Sequence, residues 1–142
     1  MYYLLILLLF IPLSVFADPS ENCLVLTDIN NDKKLDKIEY QELDFLNCNL
    51  IGMKLDNLDL KNINLSGSNL AGSYFYGSDL ENANFTNAVL YGANFGATNL
   101  ENADFTNAVL DGASFRDSNL ENVNFTNAAL KNVNLYLSLI HI

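Results

Sequence analysis

The chain has 142 residues, of which 17 are acidic and seven are Lys or Arg, giving a formal net charge of −10. This length builds one domain, and the acidic excess, without a basic stripe, excludes nucleic acid held through its phosphates. One His and two Cys provide neither a zinc site nor a His-dependent nucleophilic triad, so the composition argues against those enzyme classes.

Residues 1–17 form an uncharged segment rich in Leu, Ile, Phe and Tyr. The apolar run over residues 2–16 is too short for a stable membrane span. Val15 and Ala17 place small or aliphatic residues at the two specificity positions of a cleavage site, so we predict a signal peptide removed after Ala17. The alternative is an uncleaved anchor. Export predicts a secreted or periplasmic protein.

The two cysteines, Cys23 and Cys48, both follow the signal segment. In an exported protein an even pair favours a disulfide. The bridge would close the acidic segment between them and contribute about 3 kcal/mol. The alternative is a pair of buried thiols, with Cys48 at an inward position of the repeat described below.

Between the cysteines, residues 28–39 carry oxygen-bearing side chains at positions 1, 3, 5, 9 and 12 of a twelve-residue segment. That spacing places several oxygen ligands around one hard cation, with a bidentate Glu at the last position. The segment resembles the EF-hand calcium loop. It predicts calcium bound by five side chains and, at Lys34, a backbone carbonyl: Asp28, Asn30, Asp32, Lys34, Asp36 and Glu39.

The flanks of this loop predict two short helices. Residues 18–21, Asp-Pro-Ser-Glu, are typical of a helix N-terminus, and a second helix is predicted from about Lys37 to Leu46, so residues 18–47 would form an EF-hand-like helix-loop-helix cap. Lys33 stands where EF-hands usually have Gly, at a cost of about 1–2 kcal/mol for the left-handed backbone. The single loop therefore predicts weak affinity, on the order of 10⁻⁴–10⁻³ M. The alternative is an acidic, solvated turn.

From Leu50 to Leu135 every fifth residue is Leu or Phe, at eighteen consecutive positions. A smaller or apolar residue, often Ala, stands two residues before most of them, and the other three positions are mostly polar. Neither an α-helix nor a β-strand has a period of five, so the chain must turn a corner at each pentad. Residues 80–99 and 100–119 match at fourteen of twenty positions, so four pentads make one coil of a square solenoid.

This register predicts opposed stacks of phenyl rings, with Phe85, Phe105 and Phe125 on one face and Phe95 and Phe115 on the opposite one. Coils would lie about 4.8 Å apart, the spacing of hydrogen-bonded strands. Three inward residues of the first coil are larger than Ala and predict that it is wider or distorted: Met53, Leu58 and Ile63.

The repeated Ala-[Asn/Asp]-Phe motif, as at residues 83–85 and 103–105, resembles the pentapeptide-repeat family. The resemblance implies an all-β solenoid, a right-handed quadrilateral β-helix of about four and a half coils over residues 48–136. The helix-loop-helix of residues 18–47 would cap its N-terminal end.

Residues 137–142, Leu-Ser-Leu-Ile-His-Ile, are apolar where the repeat is polar. They resemble the translation of a transposon end used in sequencing libraries, so we interpret them as a non-native read-through tail and leave them out of the predicted solenoid. The last coil would then expose unpaired backbone N–H and C=O groups, which favour self-association.

Three functions remain. The favoured one is a secreted, non-catalytic binding or scaffold protein, with calcium in its cap and an unidentified protein or surface as partner. The family resemblance implies an alternative, an acidic duplex mimic that inhibits DNA gyrase, although export would remove it from the cytoplasm. The least favoured is a polysaccharide-acting enzyme, which would need a carboxylate pair such as Asp104 with Glu101 or Glu121.

Overall fold

The computed structural model describes residues 45–139, which form one continuous stack of coils. Parallel bridges join residues twenty positions apart, from Asn49 with Asn69 to Asn119 with Leu139. Each side of a coil has a single bridge residue, and none of the described residues is helical. A repeat of twenty residues, with a turn after every fifth, confirms the predicted four-sided solenoid.

The four faces are named here by the Leu or Phe at the centre of each side, and faces 1 and 3 are opposite, as are faces 2 and 4. Face 1 is centred on Phe45, Leu65, Phe85, Phe105 and Phe125, and face 2 on Leu50, Leu70, Leu90, Leu110 and Leu130. Face 3 is centred on Leu55, Phe75, Phe95, Phe115 and Leu135, and face 4 on Leu60, Leu80, Leu100 and Leu120.

Each described corner is a tight turn with left-handed backbone at its second residue, with φ between 53° and 74°. The Ala83 N–H donates to the Leu80 carbonyl across one such turn, at 3.0 Å. Left-handed backbone disfavours most L-residues, whereas Gly and Asn tolerate it. This requirement explains why Asn or Gly fills most corners, including a run of glycines on four successive coils between faces 2 and 3: Gly52, Gly72, Gly92 and Gly112.

The core contains the central Leu and Phe residues and the small residues two positions before them. The rings of Phe75, Phe85, Phe95, Phe105 and Phe115 are fully buried. Within a face the rings stack in parallel, 4.7 Å apart for Phe85 and Phe105, and across the core they meet edge to face, 5.6 Å apart for Phe85 and Phe95. The predicted opposed stacks are confirmed, and face 3 adds Phe75 to them.

The first coil differs from the others because its inward residues are large. Met53 and Leu58 are only partly buried. The turn from Leu55 to Leu58 lacks a direct backbone bond; instead the Ser78 hydroxyl donates to the Leu55 carbonyl and accepts from the Leu58 N–H at 3.0 Å. The turns at Met53 and Ile63 keep their direct backbone bonds, at 3.2 Å, and the predicted wider or distorted first coil stays a prediction.

The solenoid extends past the predicted bounds, 48–136, at both ends. Phe45 is buried at the centre of face 1, and its N–H donates to the Asn64 carbonyl at 3.1 Å. The helix predicted to reach Leu46 is therefore wrong for residues 45–46, where an apolar residue in pentad register joins the stack instead. The remainder of the predicted cap, residues 18–44, and the predicted signal, residues 1–17, lie outside the described residues.

At the other end the stack continues through residue 139. The Leu139 N–H donates to the Ser118 carbonyl at 2.9 Å, and Ser138 takes the small inward position. Residues 137–139 therefore belong to the solenoid and not to a separate tail, because the pentad spacing continues through them; the proposed read-through origin stays a prediction. The coil of residues 121–139 has no described coil beyond it, and Leu130 and Leu135 are each 43% exposed.

Candidate functional site

The predicted calcium site lies outside the described residues, as does Cys23. The structure therefore neither assembles nor separates the six residues assigned to calcium, and the site stays a prediction. Cys48 is described: its side chain points inward at the start of face 2, is 1% exposed, and is a disulfide sulfur, not a free thiol. Its pairing with Cys23 stays a prediction.

An acidic column runs along the corner between faces 4 and 1. Its members stand twenty residues apart, on successive coils: Glu81, Glu101 and Glu121. Lys61 begins the column and contacts Glu81 at 2.9 Å and Asp79 at 3.2 Å. These bonds, first to Glu81 and then to Asp79, raise the pKa of Lys61 above its ordinary value. We call this corner, with face 4, the acidic side.

Side-chain amides extend the same side along the rod. The Asn119 Nδ2 donates to Asn99 Oδ1 at 3.0 Å, and the Asn99 Nδ2 donates to Asp79 Oδ1 at 2.9 Å. The chain of bonds ends at Lys61 through the other oxygen of Asp79. These polar groups are bonded to each other, which is typical of a solvated face that stabilises neighbouring coils.

The enzyme alternative depended on Asp104. Its Oδ1 accepts from the Thr106 N–H at 2.8 Å and from the Thr106 hydroxyl at 2.6 Å. On the neighbouring coils of face 1, Asn84 Oδ1 accepts from the Thr86 N–H at 2.9 Å and Asn124 Oδ1 from the Thr126 N–H at 3.0 Å. Asp104 therefore takes the role of a turn-stabilising residue. Among residues 45–139, no three His, Cys, Asp or Glu side chains converge on a point that could hold a metal ion.

Exposed aromatic residues lie on face 3 and at its two corners, one of which adjoins face 4. Tyr74 and Tyr76 stand on either side of Phe75 on face 3, Tyr91 lies at the corner leading into that face, and Tyr136 lies three coils beyond Tyr76. These are all the tyrosines among the described residues. We call face 3 with its two corners the tyrosine side, residues 51–57, 71–77, 91–97, 111–117 and 131–137.

The Tyr76 ring rests on the backbone of Gly96, one coil further on. A Cβ at Gly96 would lie 3.1 Å from Tyr76 Cδ2 and 3.4 Å from Cε2. Residues 76, 96, 116 and 136 stand at the same corner on four successive coils. Gly96 is buried, whereas Tyr76 and Arg116 are exposed. The guanidinium of Arg116 lies 5.5 Å from the centroid of the Tyr136 ring, a cation–π distance. At this corner, therefore, Tyr76 and Arg116 each contact the residue at the same position on the next coil.

Charge is distributed unevenly between the two sides. The tyrosine side has three cations and three acids: Lys54, Arg116 and Lys131 with Asp56, Asp111 and Asp117. The remaining described residues carry six acids and one cation, Lys61. The excess negative charge of the described coils thus lies outside the tyrosine side. Sequence reasoning missed the tyrosine side, although reading the tyrosine positions modulo twenty would have placed them together.

Comparison with known protein families gives two matches that together span the described coils. Residues 44–82 match the family model "Pentapeptide repeats (8 copies)", and residues 78–141 match "Pentapeptide repeat region". None of the curated protein sequences compared matches the chain. Within residues 45–139, the structure contains no helix long and apolar enough to cross a membrane.

Several solved structures resemble the chain. A pentapeptide repeat protein from the Arabidopsis thaliana thylakoid lumen is 26% identical, with a TM-score of 0.55, over 67% of this chain and 63% of that protein. Rfr23 from the cyanobacterium Cyanothece is 27% identical over 66% of this chain and 84% of its own, with a TM-score of 0.43. QnrB1, a plasmid-mediated fluoroquinolone resistance protein, is 27% identical over 63% of this chain and 51% of its own, with a TM-score of 0.46. The likeness to the Arabidopsis protein supports a right-handed quadrilateral β-helix.

Proposed function

Because the chain belongs to the pentapeptide-repeat family, we propose that it is an exported, non-catalytic scaffold that presents a rigid two-sided rod to a protein or surface partner. The observation that carries this proposal is the separation of an acidic side from a neutral tyrosine side on one stack of coils. A rod whose side chains are fixed by neighbouring coils loses little conformational entropy when it binds.

The non-catalytic part of the proposal rests on how the described polar residues are used. Asp104 is bonded to Thr106, Asp79 to Asn99 and Lys61, and Glu81 to Lys61. These groups hold turns and coils together. A scan of polysaccharide hydrolysis with the purified chain tests this part: turnover that is lost in Asp104→Asn would make the protein an enzyme.

Calcium binding by residues 28–39 is part of the proposal, and it rests on ligand spacing alone. The bound ion would stabilise the segment that precedes the first coil. Calorimetric titration of the full chain with calcium is expected to give heat at millimolar concentrations. Glu39→Gln should abolish that heat, whereas Glu42→Gln, outside the loop, should not. Absence of heat from the wild-type chain, or heat that survives Glu39→Gln, would contradict the proposal.

Export is proposed from the apolar segment at residues 1–17. The Arabidopsis relative comes from a thylakoid lumen, so a solenoid of this kind can be found inside a membrane-bounded compartment. N-terminal sequencing of the protein from its native host is expected to begin at Asp18. A mature chain that retains residues 1–17 would contradict export by a cleaved signal.

Self-association through the last described coil is also proposed. The backbone N–H groups of Phe125, Leu130 and Leu135 have no acceptor among the described residues, whereas those at the equivalent positions one coil earlier each donate to the next coil: Phe105, Leu110 and Phe115. Backbone groups of this kind, beside exposed Leu side chains, are the ones that pair with another chain. A second copy of the chain can cover that edge.

The gyrase-inhibitor alternative is not favoured. Export by the segment at residues 1–17 would separate the protein from gyrase, which acts in the cytoplasm. The acidic groups of the described coils also lie mainly on one side of the rod, and Lys61 neutralises part of that side. Detection of the protein in the cytoplasm with gyrase inhibition in vitro would restore it.

A further inference from the structure

We propose that the tyrosine side binds an extended, uncharged polysaccharide, an inference that rests on the proposed scaffold function and assigns its partner. The first observation is the position of the aromatic rings. Tyr74, Tyr76 and Tyr91 are each about half exposed and stand on two consecutive coils of one side. Tyrosine combines an apolar ring face with a polar hydroxyl, so half-exposed tyrosines are suited to a ligand that offers both apolar and hydrogen-bonding groups.

The second observation is the packing of the Tyr76 ring against Gly96 on the next coil. The backbone of Gly96 has ordinary φ, so glycine is not needed there for conformation. A Cβ there would lie 3.1 Å from both Tyr76 Cδ2 and Asn94 Oδ1, closer than ordinary contact, so the ring or the amide would have to shift. The ring therefore rests on the next coil with one edge supported, and the residue stays 53% exposed. A ring that is already seated loses little freedom when a ligand stacks on it.

The third observation is the row of hydrogen-bonding groups beside the rings. Asn94, Ser114 and Asn134 follow Tyr74 along the same face, one on each coil. Asn94 Oδ1 accepts from the Gly96 N–H at 2.9 Å and Asn134 Oδ1 from the Tyr136 N–H at 3.0 Å. Each amide nitrogen is thereby left to donate to a ligand. Coils repeat every 4.8 Å, the Phe75 to Phe95 spacing, so these groups form a regular row along the rod that an extended polymer can follow.

The charge of the tyrosine side selects among ligands. Its three cations and three acids balance, and Asp56 and Asp111 are already bonded to the N–H groups of Tyr76 and Lys131. Nucleic-acid strands also stack on aromatic rings, but they need a positively charged groove, and this side has none. Sugar rings provide apolar C–H faces for stacking and hydroxyls for the Asn and Ser groups, without charge. An uncharged polysaccharide therefore fits better than a polyanion.

The test uses the full chain and affinity gel electrophoresis with three soluble uncharged polysaccharides, hydroxyethylcellulose, laminarin and dextran, and with heparin as the charged comparison. At least one uncharged polysaccharide is expected to retard the wild-type chain, and heparin is not. Tyr76→Ala should weaken that retardation about tenfold, the loss of one stacking contact. Gly96→Ala should weaken it as well, although it leaves every tyrosine in place. Glu101→Gln, on the acidic side, is the matched control and should change nothing.

Each contrary result overturns the proposal. No retardation by any of the three polysaccharides would exclude this ligand class, and stronger retardation by heparin would show a charge-driven site. Retardation that survives Tyr76→Ala and Gly96→Ala would place binding elsewhere. A wild-type circular dichroism spectrum for each variant shows that the fold is intact. The scaffold function fails separately: if the protein captured no partner but still bound polysaccharide, only the broader proposal of a protein partner would fall.

Discussion

Phe85 and Phe105, twenty residues apart in the chain, stack with their ring planes within 1° of parallel and their centroids 4.7 Å apart. The same interval separates hydrogen-bonded strands, and the Phe85 N–H donates to the Asp104 carbonyl at 2.8 Å. The aromatic stack and the backbone ladder therefore share one period. This agreement explains how single bridge residues on each side suffice to hold the described coils in register.

Phe105→Ala should be among the most destabilising substitutions in the chain. The ring is fully buried between Phe85 and Phe125 and touches Phe95 and Phe115 edge to face, so its removal leaves a cavity that costs about 3–5 kcal/mol. Urea unfolding followed by circular dichroism measures the loss. Phe125→Ala, in the same stack but only partly buried, is the matched control and should cost clearly less. Equal losses would contradict the described packing.

Left-handed corners predict opposite effects at two positions. Gly112 has φ of 74°, and the nearest atom to a Cβ there would lie 4.0 Å away, so Gly112→Ala should destabilise by about 1–2 kcal/mol through backbone strain alone. Ala97 already bears that strain, with φ of 53°, so Ala97→Asn should stabilise the fold because Asn tolerates this conformation. Urea midpoints of the two variants should therefore move in opposite directions. If both urea midpoints moved in the same direction, left-handed backbone at these two corners would be contradicted.

The hydroxyl of Ser78 should stabilise the first coil. It is buried and bridges the Leu55 carbonyl and the Leu58 N–H, so Ser78→Ala leaves two backbone groups without a partner and should cost about 1–3 kcal/mol. Ser114→Ala, at a half-buried outward position, serves as the comparison and should be nearly neutral. Thermal unfolding of both variants measures the difference. If Ser78→Ala left the unfolding temperature unchanged, the Leu58 N–H would have to donate directly to the Leu55 carbonyl, and the stabilising role of Ser78 would be wrong.

The ion pairs of Lys61 predict a specific pH dependence. Because its pKa is raised on folding, the stabilisation is complete below the ordinary Lys pKa, about 10.4, and is lost as pH rises through the higher folded value. The difference in urea midpoint between wild type and Lys61→Gln should therefore be constant from neutral to mildly alkaline pH. It should be small and should shrink in high salt, because the pair is exposed. A difference that disappears at neutral pH would contradict this assignment.

Self-association should depend on the last coil. Leu130→Asn with Leu135→Asn replaces the apolar side chains at the last described edge, each 43% exposed, so the double variant, once its wild-type circular dichroism spectrum is confirmed, should remain monomeric at concentrations where the wild type associates. Sedimentation equilibrium measures the assembly state. The control, Ile51→Asn, changes an exposed residue of the first coil and should leave association unchanged. A wild-type chain that is monomeric at all concentrations would remove the proposal.

The solenoid could be predicted from the sequence because its signal is repeated in every pentad. The Leu and Phe positions, the small residues two before them and the twenty-residue coil all follow from periodicity, and the structure confirms them. The boundaries were less accurate. Phe45 falls within the predicted helix because the acidic loop before it suggests one, and residues 137–139 fall outside the predicted solenoid because Leu137 stands at a corner where Asn or Gly is usual.

The candidate surface was not predicted because it depends on positions that vary between pentads. The seat of Tyr76 on Gly96 joins residues on different coils, and Gly96 looks like any other polar-position residue in the linear chain. A twenty-residue alignment of the coils would bring Tyr74, Tyr76, Tyr91 and Tyr136 to one side. The contact between the Tyr76 ring and Gly96, however, depends on the three-dimensional positions of two successive coils, which the alignment does not give.

The most direct test of the four-sided solenoid is a three-dimensional ¹⁵N-edited NOESY spectrum of the full chain. We expect cross-peaks between protons of residues about twenty positions apart, such as the Phe85 amide with backbone protons near Asp104, repeated along residues 45–139. Regular cross-peaks between amides three and four residues apart through the Phe-bearing region, without contacts at twenty, would show helices in place of coils and contradict the account.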